Sequence, residues 1–472
     1  MSTSVTFLGL ALLALGQAAN SQASSERAVR WEEPILVAAG PAHQGPWRMN
    51  ESDFRYVDDP TVAVTRDGGT VVAWVDQARK DVFLQRYDPA GKAQLPDPVN
   101  VSRSSGVFSW LPRVVVTGRD PAAVYVLWQE IIFSGGSHGG DILLARSLDG
   151  GRTFEEPHNL SRDRAGSGKG RLTKRRWHNG SLDLASGGDG SLYASWTDYE
   201  GDLWLSRSTD GGETFSEPLS IADDGDLGPA RAPSLVVQDA ETVLLAWSAA
   251  GSGAIHMIRS QDGGATFGKP RVVHRDDGHA DAPKLLVGGS GALHLFFARS
   301  STGTIGNYHE YQVVHARLDD REQDFSRPVV ISREPGSKAG AGFPSAALGR
   351  QGRLHVIWER FPNAWDRPRG LGHSYSDDGG RSWAAPYPVS GTIDREGING
   401  SLQGLLMQKV SANENGDVAV VNSTFRLDEA SYVWLLRSEP FAERSRPRSM
   451  AKAASIIFSP ASSNTTVISL PR

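Results

Sequence analysis

Not one cysteine occurs among the 472 residues, so disulfides, thiol catalysis and cysteine metal sites are excluded at the outset. A positive field is missing too: 49 Lys and Arg against 54 Asp and Glu leave a net charge of −5, which argues against nucleic acid as a partner. The apolar run from Val5 to Leu15 is too short to cross a bilayer, so no transmembrane segment is expected in the mature chain. Neither a phosphate-cradling loop nor a His-Glu-x-x-His helix is present. Asp276, Asp277, His279 and Asp281 lie close in sequence, but their spacing fits no common ligand pattern. They read as a solvated acidic loop, and neither a metal nor a cofactor is expected.

What the chain does contain is one eight-residue phrase written four times. It reads Ser147-Leu148-Asp149-Gly150-Gly151-Arg152-Thr153-Phe154 and returns at Ser208 to Phe215, Ser260 to Phe267 and Ser376 to Trp383. Each copy lies between two alternating apolar runs, which makes it a hairpin turn. Its Asp can accept backbone N–H groups across the turn, its glycines supply positive φ, and its aromatic packs the tip onto the sheet. A phrase recurring in this way marks repeated supersecondary units.

Aligned on the turn, each unit shows an x-Pro strand, a strand ending in an aromatic, a strand ending in Arg-Ser, the turn, and a short strand after proline. The second strands end at Trp74, Trp128, Trp196, Trp247, Phe297 and Trp358, with a weaker seventh copy at Asp417 to Val421. The fourth strands follow Pro98, Pro157, Pro218, Pro270, Pro328 and Pro386. Proline suits an outer edge, where a missing donor costs little. The seventh fourth strand is found at the other end of the chain, in Glu33-Pro34-Ile35-Leu36-Val37. The expected fold is therefore all-β: a β-propeller of seven four-stranded blades over 31–440, closed by its N-terminal strand. Six blades remain the alternative if the unit beginning near Gly400 is an appended hairpin. Residues 1–23 read as a signal peptide, although no Lys or Arg precedes the apolar run, and an exported protein, periplasmic or extracellular, is expected. Residues 441–472 read as a mobile tail.

The phrase resembles the Asp-box, or bacterial neuraminidase repeat, of β-propellers in the sialidase superfamily. The resemblance covers nearly the whole chain; it is specific for fold and weak for activity. In such propellers the ligand side is opposite the Asp-box turns, at the starts of first strands and the ends of second strands. Those positions supply Asp58, Asp59, Asp76, Arg79, Trp110, Arg113, Glu130, Trp177, His178, Asn179, Asp198, Arg231, Asp281, Arg299, Phe343, Glu359 and Arg360. The site-facing loops add Tyr308, Glu310, Tyr311 and Trp365.

The resemblance implies three arginines holding a substrate carboxylate, an acidic Asp, and a Tyr activated by a Glu. The chain departs from this pattern at once. Where the family's first arginine stands in Arg-Ile-Pro, this sequence has Asp58-Asp59-Pro60, which would repel a carboxylate. Arg231, Arg299 and Arg360 could make another anion clamp, with Arg79, Arg113, Glu130, Trp177, His178 and Glu359 as further ligand contacts. A rearranged catalytic set would take Asp76 or Asp198 as acid and Tyr308 or Tyr311 with Glu310 as nucleophile pair. Three readings follow: a propeller binding a glycan or another polar ligand without the full catalytic set, a sialidase-type glycosidase with a rearranged site, and a non-catalytic propeller that binds a protein partner.

Overall fold

The computed structural model describes residues 28–439 apart from 47, 49, 105, 119–120, 135–136, 163–180, 199–200, 224–226, 250–251, 276–277, 303–306, 320–322, 395 and 401–407. The signal-peptide and tail expectations therefore fall outside the described residues.

Seven antiparallel sheets stand around a common axis. Blade 1 begins with Val57–Val64, blade 2 with Ser109–Thr117, blade 3 with Leu182–Ser186 and blade 4 with Ala230–Val237. Blades 5, 6 and 7 begin with His279–Val287, Gly340–Leu348 and Val410–Ala412. Each inner strand packs against that of the next blade, and blade 7 packs back on blade 1. The ring is closed by pairing the strand Ile35–Gly40 with Ala430–Arg437, in the register Ile35 to Leu435 and Leu36 to Trp434. The first and last described strands thus share one sheet, and the six-bladed alternative is set aside.

Burial explains the repeated aromatics. Trp128, Trp196, Trp247 and Trp358 are fully buried on second strands, where a large flat side chain fills the space between neighbouring blades. The outer strands Val99–Asn100, His158–Asn159, Leu219–Ala222, Arg271–His274, Val329–Val330 and Tyr387–Pro388 each start one residue after proline.

Each repeated turn is held by its own side chains. In the second copy, Ser208 Oγ donates to Asp210 Oδ1 at 2.7 Å, while Gly212 N donates to Ser208 Oγ at 2.8 Å and Thr214 N to Asp210 Oδ1 at 2.9 Å. The same bonds recur in the other three copies. All four turns project from the ends of third strands, and the register sets those ends away from the starts of the first strands. Ser147, for example, pairs with Val124, whereas Ser109 pairs with Glu130 at the far end of the same strand.

Two buried histidine rings tie blade 5 to the turn of blade 6. Trp383 Nε1 donates to His315 Nδ1 at 3.3 Å, so the proton of a neutral His315 lies on Nε2, which is 3.0 Å from His294 Nδ1. Burial pushes His294 down to about 4; burial and the neighbouring His294 push His315 down to about 3. Both values lie below that of an unfolded histidine, so the stability the pair contributes is complete above pH ~6.5 and is lost as pH falls through the folded values. Thermal denaturation over a pH series is expected to show a loss on the order of 4 kcal/mol by pH 5, about 2 kcal/mol from each ring. His294→Gln should flatten that profile; an unchanged slope would show that the pair does not govern acid sensitivity.

Candidate functional site

The inner strands share a backbone device. In blades 1, 2, 4, 5 and 6 the register slips at an x-Pro step, and Asp59, Leu111, Ala232, Ala282 and Phe343 adopt φ between 53° and 56°. Positive φ is strained for a side-chain-bearing residue, and a bulge turns the strand locally toward the axis. The bulged x-Pro steps of blades 4, 5 and 6 line a cavity of about 30 Å³ together with Arg113, Asp183, Lys284 and Gln408. That is room enough for a water molecule.

Below the mouth, charged pairs join the inner strands across blades. Lys284 of blade 5 reaches Asp183 of blade 3 at 3.1 Å, and Asp183 also accepts Leu235 N of blade 4 at 2.9 Å. Lys409 bonds Glu359 of blade 6 and, at 2.8 Å, Asn422. Arg113 is buried; burial lowers its pKa against the opposing pull of Asp183 and Asp59.

At the mouth one cluster brings blades 4 and 5 together. Arg231 Nε lies 3.1 and 3.2 Å from the two oxygens of Asp281, and its Nη2 lies 3.3 Å from the Tyr308 hydroxyl. Tyr308 donates to Asp281 at 3.2 Å, and Ser248 Oγ to the same carboxylate at 2.9 Å. Burial opposes both charges of the pair, yet Arg231 holds Asp281 below the carboxylate range and Asp281 raises Arg231. Burial, reinforced by Asp281, pushes both Tyr308 and Tyr311 well above the ordinary phenol value. Tyr311 lies 3.1 Å from His279 Nδ1.

The sequence candidates distribute unevenly around this cluster. Arg231, Tyr308 and Tyr311 come together in it. Glu310 is exposed, and the carboxylate at the Tyr308 hydroxyl is Asp281. Of the three arginines expected as a clamp, Arg360 makes two bonds of 2.7 Å to Glu334, Arg231 engages Asp281, and Arg299 lies half-buried at the end of its strand. Glu359 and Arg113, expected as ligand contacts, are buried on the channel wall. Asp76 accepts from Ala78 N at 3.0 Å and pairs with Arg79 at 3.5 Å; burial raises its pKa. Asp198 accepts from Gly201 N at 2.9 Å and Asp202 N at 3.0 Å, closing its own loop. Trp177 and His178 lie outside the described residues.

Glu130 was legible as a mouth residue but not as an acid. Burial, with Asp141 and Asp81 nearby, pushes it up to about 7, against a 3.2 Å bond from Trp128 Nε1. Asp141 is its cross-strand partner within blade 2, and the packing of blade 1 on blade 2 adds Asp81. The other overlooked participant is Lys409, whose sequence surroundings carry no signal.

No family model matches the chain, and no curated protein matches it. Among solved structures it is similar to a protein of unknown function from Dyadobacter fermentans DSM 18053, at 13% identity over 86% of this chain and 99% of that one, with a TM-score of 0.46. A point mutant of the NanB sialidase from Streptococcus pneumoniae is 11% identical, with 66% of each chain covered and a TM-score of 0.43. The chain is similar to sialidase-type propellers. It is similar also to the Penicillium chrysogenum alpha-L-arabinanase, at 16% identity over 56% of this chain and 94% of that one, with a TM-score of 0.37. At such scores these likenesses carry no argument about activity.

Proposed function

We propose that the chain binds a glycan, or a ligand of similar polarity, on the mouth formed by blades 4, 5 and 6. The observation that carries this reading is Trp365. The residue is 68% exposed on a backbone of positive φ, and its backbone N–H donates to Asn307 Oδ1 at 3.1 Å. Asn307 directly precedes Tyr308. An aromatic face held beside a cluster of hydroxyl, carboxylate and guanidinium groups is the combination a sugar ring needs: one surface to stack on and fixed polar partners to orient it. Export would bring such a site to extracellular or periplasmic glycans.

A hydrolase reading has one specific support, the Tyr308 hydroxyl beside the Asp281 carboxylate. The raised phenol pKa works against it, since a nucleophilic Tyr needs its proton removed easily.

Glycan-array and calorimetric titration with Trp365→Ala test the binding reading. Binding is expected to weaken about tenfold, as loss of one stacking face implies, with an unchanged melting temperature. If the parent binds no glycan, or Trp365→Ala binds as well as the parent, the reading fails. Sugar release from a glycoside panel, abolished in Tyr308→Phe, would replace it with the hydrolase reading.

A further inference from the structure

The ring closes at a turn cut in two. In blades 2 to 6 the residue after the turn aromatic donates its N–H to the carbonyl just before the turn: Glu155 to Arg146 at 2.9 Å, Ser216 to Arg207 at 2.8 Å, Gly268 to Arg259 at 3.0 Å, Ser326 to Arg317 at 2.7 Å and Ala384 to Tyr375 at 2.9 Å. Blade 7 repeats this bond from Glu32 to Arg437 at 2.8 Å. Trp31 stands three residues before Pro34, as Phe154 does before Pro157, and Ser438 follows Arg437 as Ser147 follows Arg146. Trp31 and Ser438, which form an antiparallel bridge, thus hold the aromatic and serine places of a further turn. Its halves come from opposite ends of the ring, so the outer strand Ile35–Gly40 has no turn tying it to its own third strand.

Blade 6 seats the free half through a chain of hydrogen bonds. Val29 N donates to Tyr387 Oη at 3.3 Å, Tyr387 Oη lies 2.6 Å from His373 Nδ1, and His373 Nε2 lies 3.3 Å from His355 Nδ1. The hydroxyl accepts from Val29 and gives its proton to His373 Nδ1, so a neutral His373 carries its own proton on Nε2. Trp31 meets the His373 ring edge-on at 5.9 Å, and the two histidine rings stack at 5.5 Å. His373 is fully buried. Burial, with Arg353 nearby, pushes it down to about 3. Arg353 is itself held by Asp377 at 2.6 Å and lies over the Tyr375 ring at 4.5 Å. The free half adds Arg30, whose carbonyl accepts from Glu439 N at 2.8 Å, and Glu32.

We infer that residues 29–40 form an acid-released strap: a proton on His373 reverses its bond to Tyr387, unseats Val29 and Trp31, and frees the outer strand of blade 7 while the rest of the wheel stays folded. An imidazolium cannot accept at Nδ1, so the Tyr387 hydroxyl loses the partner for its proton. The new charge is buried and repelled by Arg353. Once the strap lifts, the imidazole meets water and regains an ordinary value near ~6.5. Closure is therefore complete above pH ~6.5 and weakens as pH falls toward the folded value of about 3. Release bares the edge of Ala430–Arg437, on which another strand can pair. The strap lies at the ring seam, so the inference does not depend on the glycan reading.

Hydrogen exchange of the whole protein, followed by mass spectrometry and expressed as protection factors, tests this. Between pH 7 and pH 5 the amides of Ile35–Gly40 are expected to lose protection roughly 25-fold. Those of Val418–Arg426, in the same sheet, should remain the better protected at both pH values. His373→Phe keeps a ring against Trp31 but takes no proton, and should abolish the pH dependence of Ile35–Gly40; His373→Gln serves where the Phe variant folds poorly. Tyr387→Phe removes the hydroxyl that holds Val29 and should lower protection already at pH 7. His294→Gln, at the other histidine pair, should leave the strap's pH dependence in place. An equal dependence in the parent and His373→Phe, or unchanged protection at pH 7 in Tyr387→Phe, overturns the proposal. So does a dependence that His294→Gln abolishes, because the strand would then open only with the whole wheel.

Discussion

Removal of residues up to Gly40 is expected to destabilise the protein by about 5 kcal/mol, from roughly five sheet hydrogen bonds worth ~1 kcal/mol each. The strand Ile35–Gly40 is the outer strand of blade 7, and its partner Ala430–Arg437 carries Val433 and Leu435 fully buried beneath it. Without it that sheet ends in an unpaired edge, which templates association with other chains. The bond from Glu32 N to the Arg437 carbonyl at 2.8 Å is lost as well. Urea unfolding of the truncated chain should show a lower midpoint, and light scattering should show association. A midpoint equal to that of the full chain would mean that the ring does not depend on this closure.

The second large effect is expected at the channel wall. Lys409 and Glu359 are paired with side chains 4% and 0% exposed, and Asn422 completes the contact at 2.8 Å. Lys409→Met leaves the Glu359 carboxylate buried without its cation, which costs on the order of 3–5 kcal/mol. Replacing both partners, with Lys409→Met and Glu359→Met together, removes the unmatched charge and should recover most of that loss. Equilibrium unfolding of the two single variants and the double variant gives the coupling energy directly. Additive losses would show that the pair acts as two independent groups, and that the stitching of blades 6 and 7 resides elsewhere.

These two sites differ in how far the amino-acid order revealed them. The closing strand was legible because Pro34 and the apolar residues after it repeat the form of six other outer strands, while the last unit stops after its third strand. Glu359 was legible only as the end of a second strand. The end of a strand fixes which face a residue is near, but not whether its side chain turns outward to solvent or inward to the axis. The bulges at Asp59, Leu111, Ala232, Ala282 and Phe343 turn the inner strands locally, and Lys409 comes from the next blade.

The Tyr308 cluster shows the same limit from the other side. Tyr308, Glu310 and Tyr311 are neighbours in sequence, which suggested a Tyr and Glu pair. The short helical turn Tyr308–Glu310 buries Tyr308 and leaves Glu310 exposed. Asp281, on a different strand of the same blade, takes the place at the hydroxyl. Likewise Arg231, at the start of a first strand, and Arg360, at the end of a second strand, each have a different acid within reach, Asp281 for one and Glu334 for the other.

What the order of residues determined by itself is the wheel: the turn geometry, the blade count, the proline-marked edges and the sheet shared by both ends. These follow from local rules, namely positive φ at glycine, a missing donor at proline, and alternation along a strand, which act within a few residues. Only the tertiary structure decided which charges pair and that the bulged x-Pro steps of blades 4, 5 and 6 line one small cavity. Those outcomes depend on distances between blades some fifty to one hundred residues apart, such as Arg231 to Asp281 and Asp183 to Lys284, and no local rule carries that information.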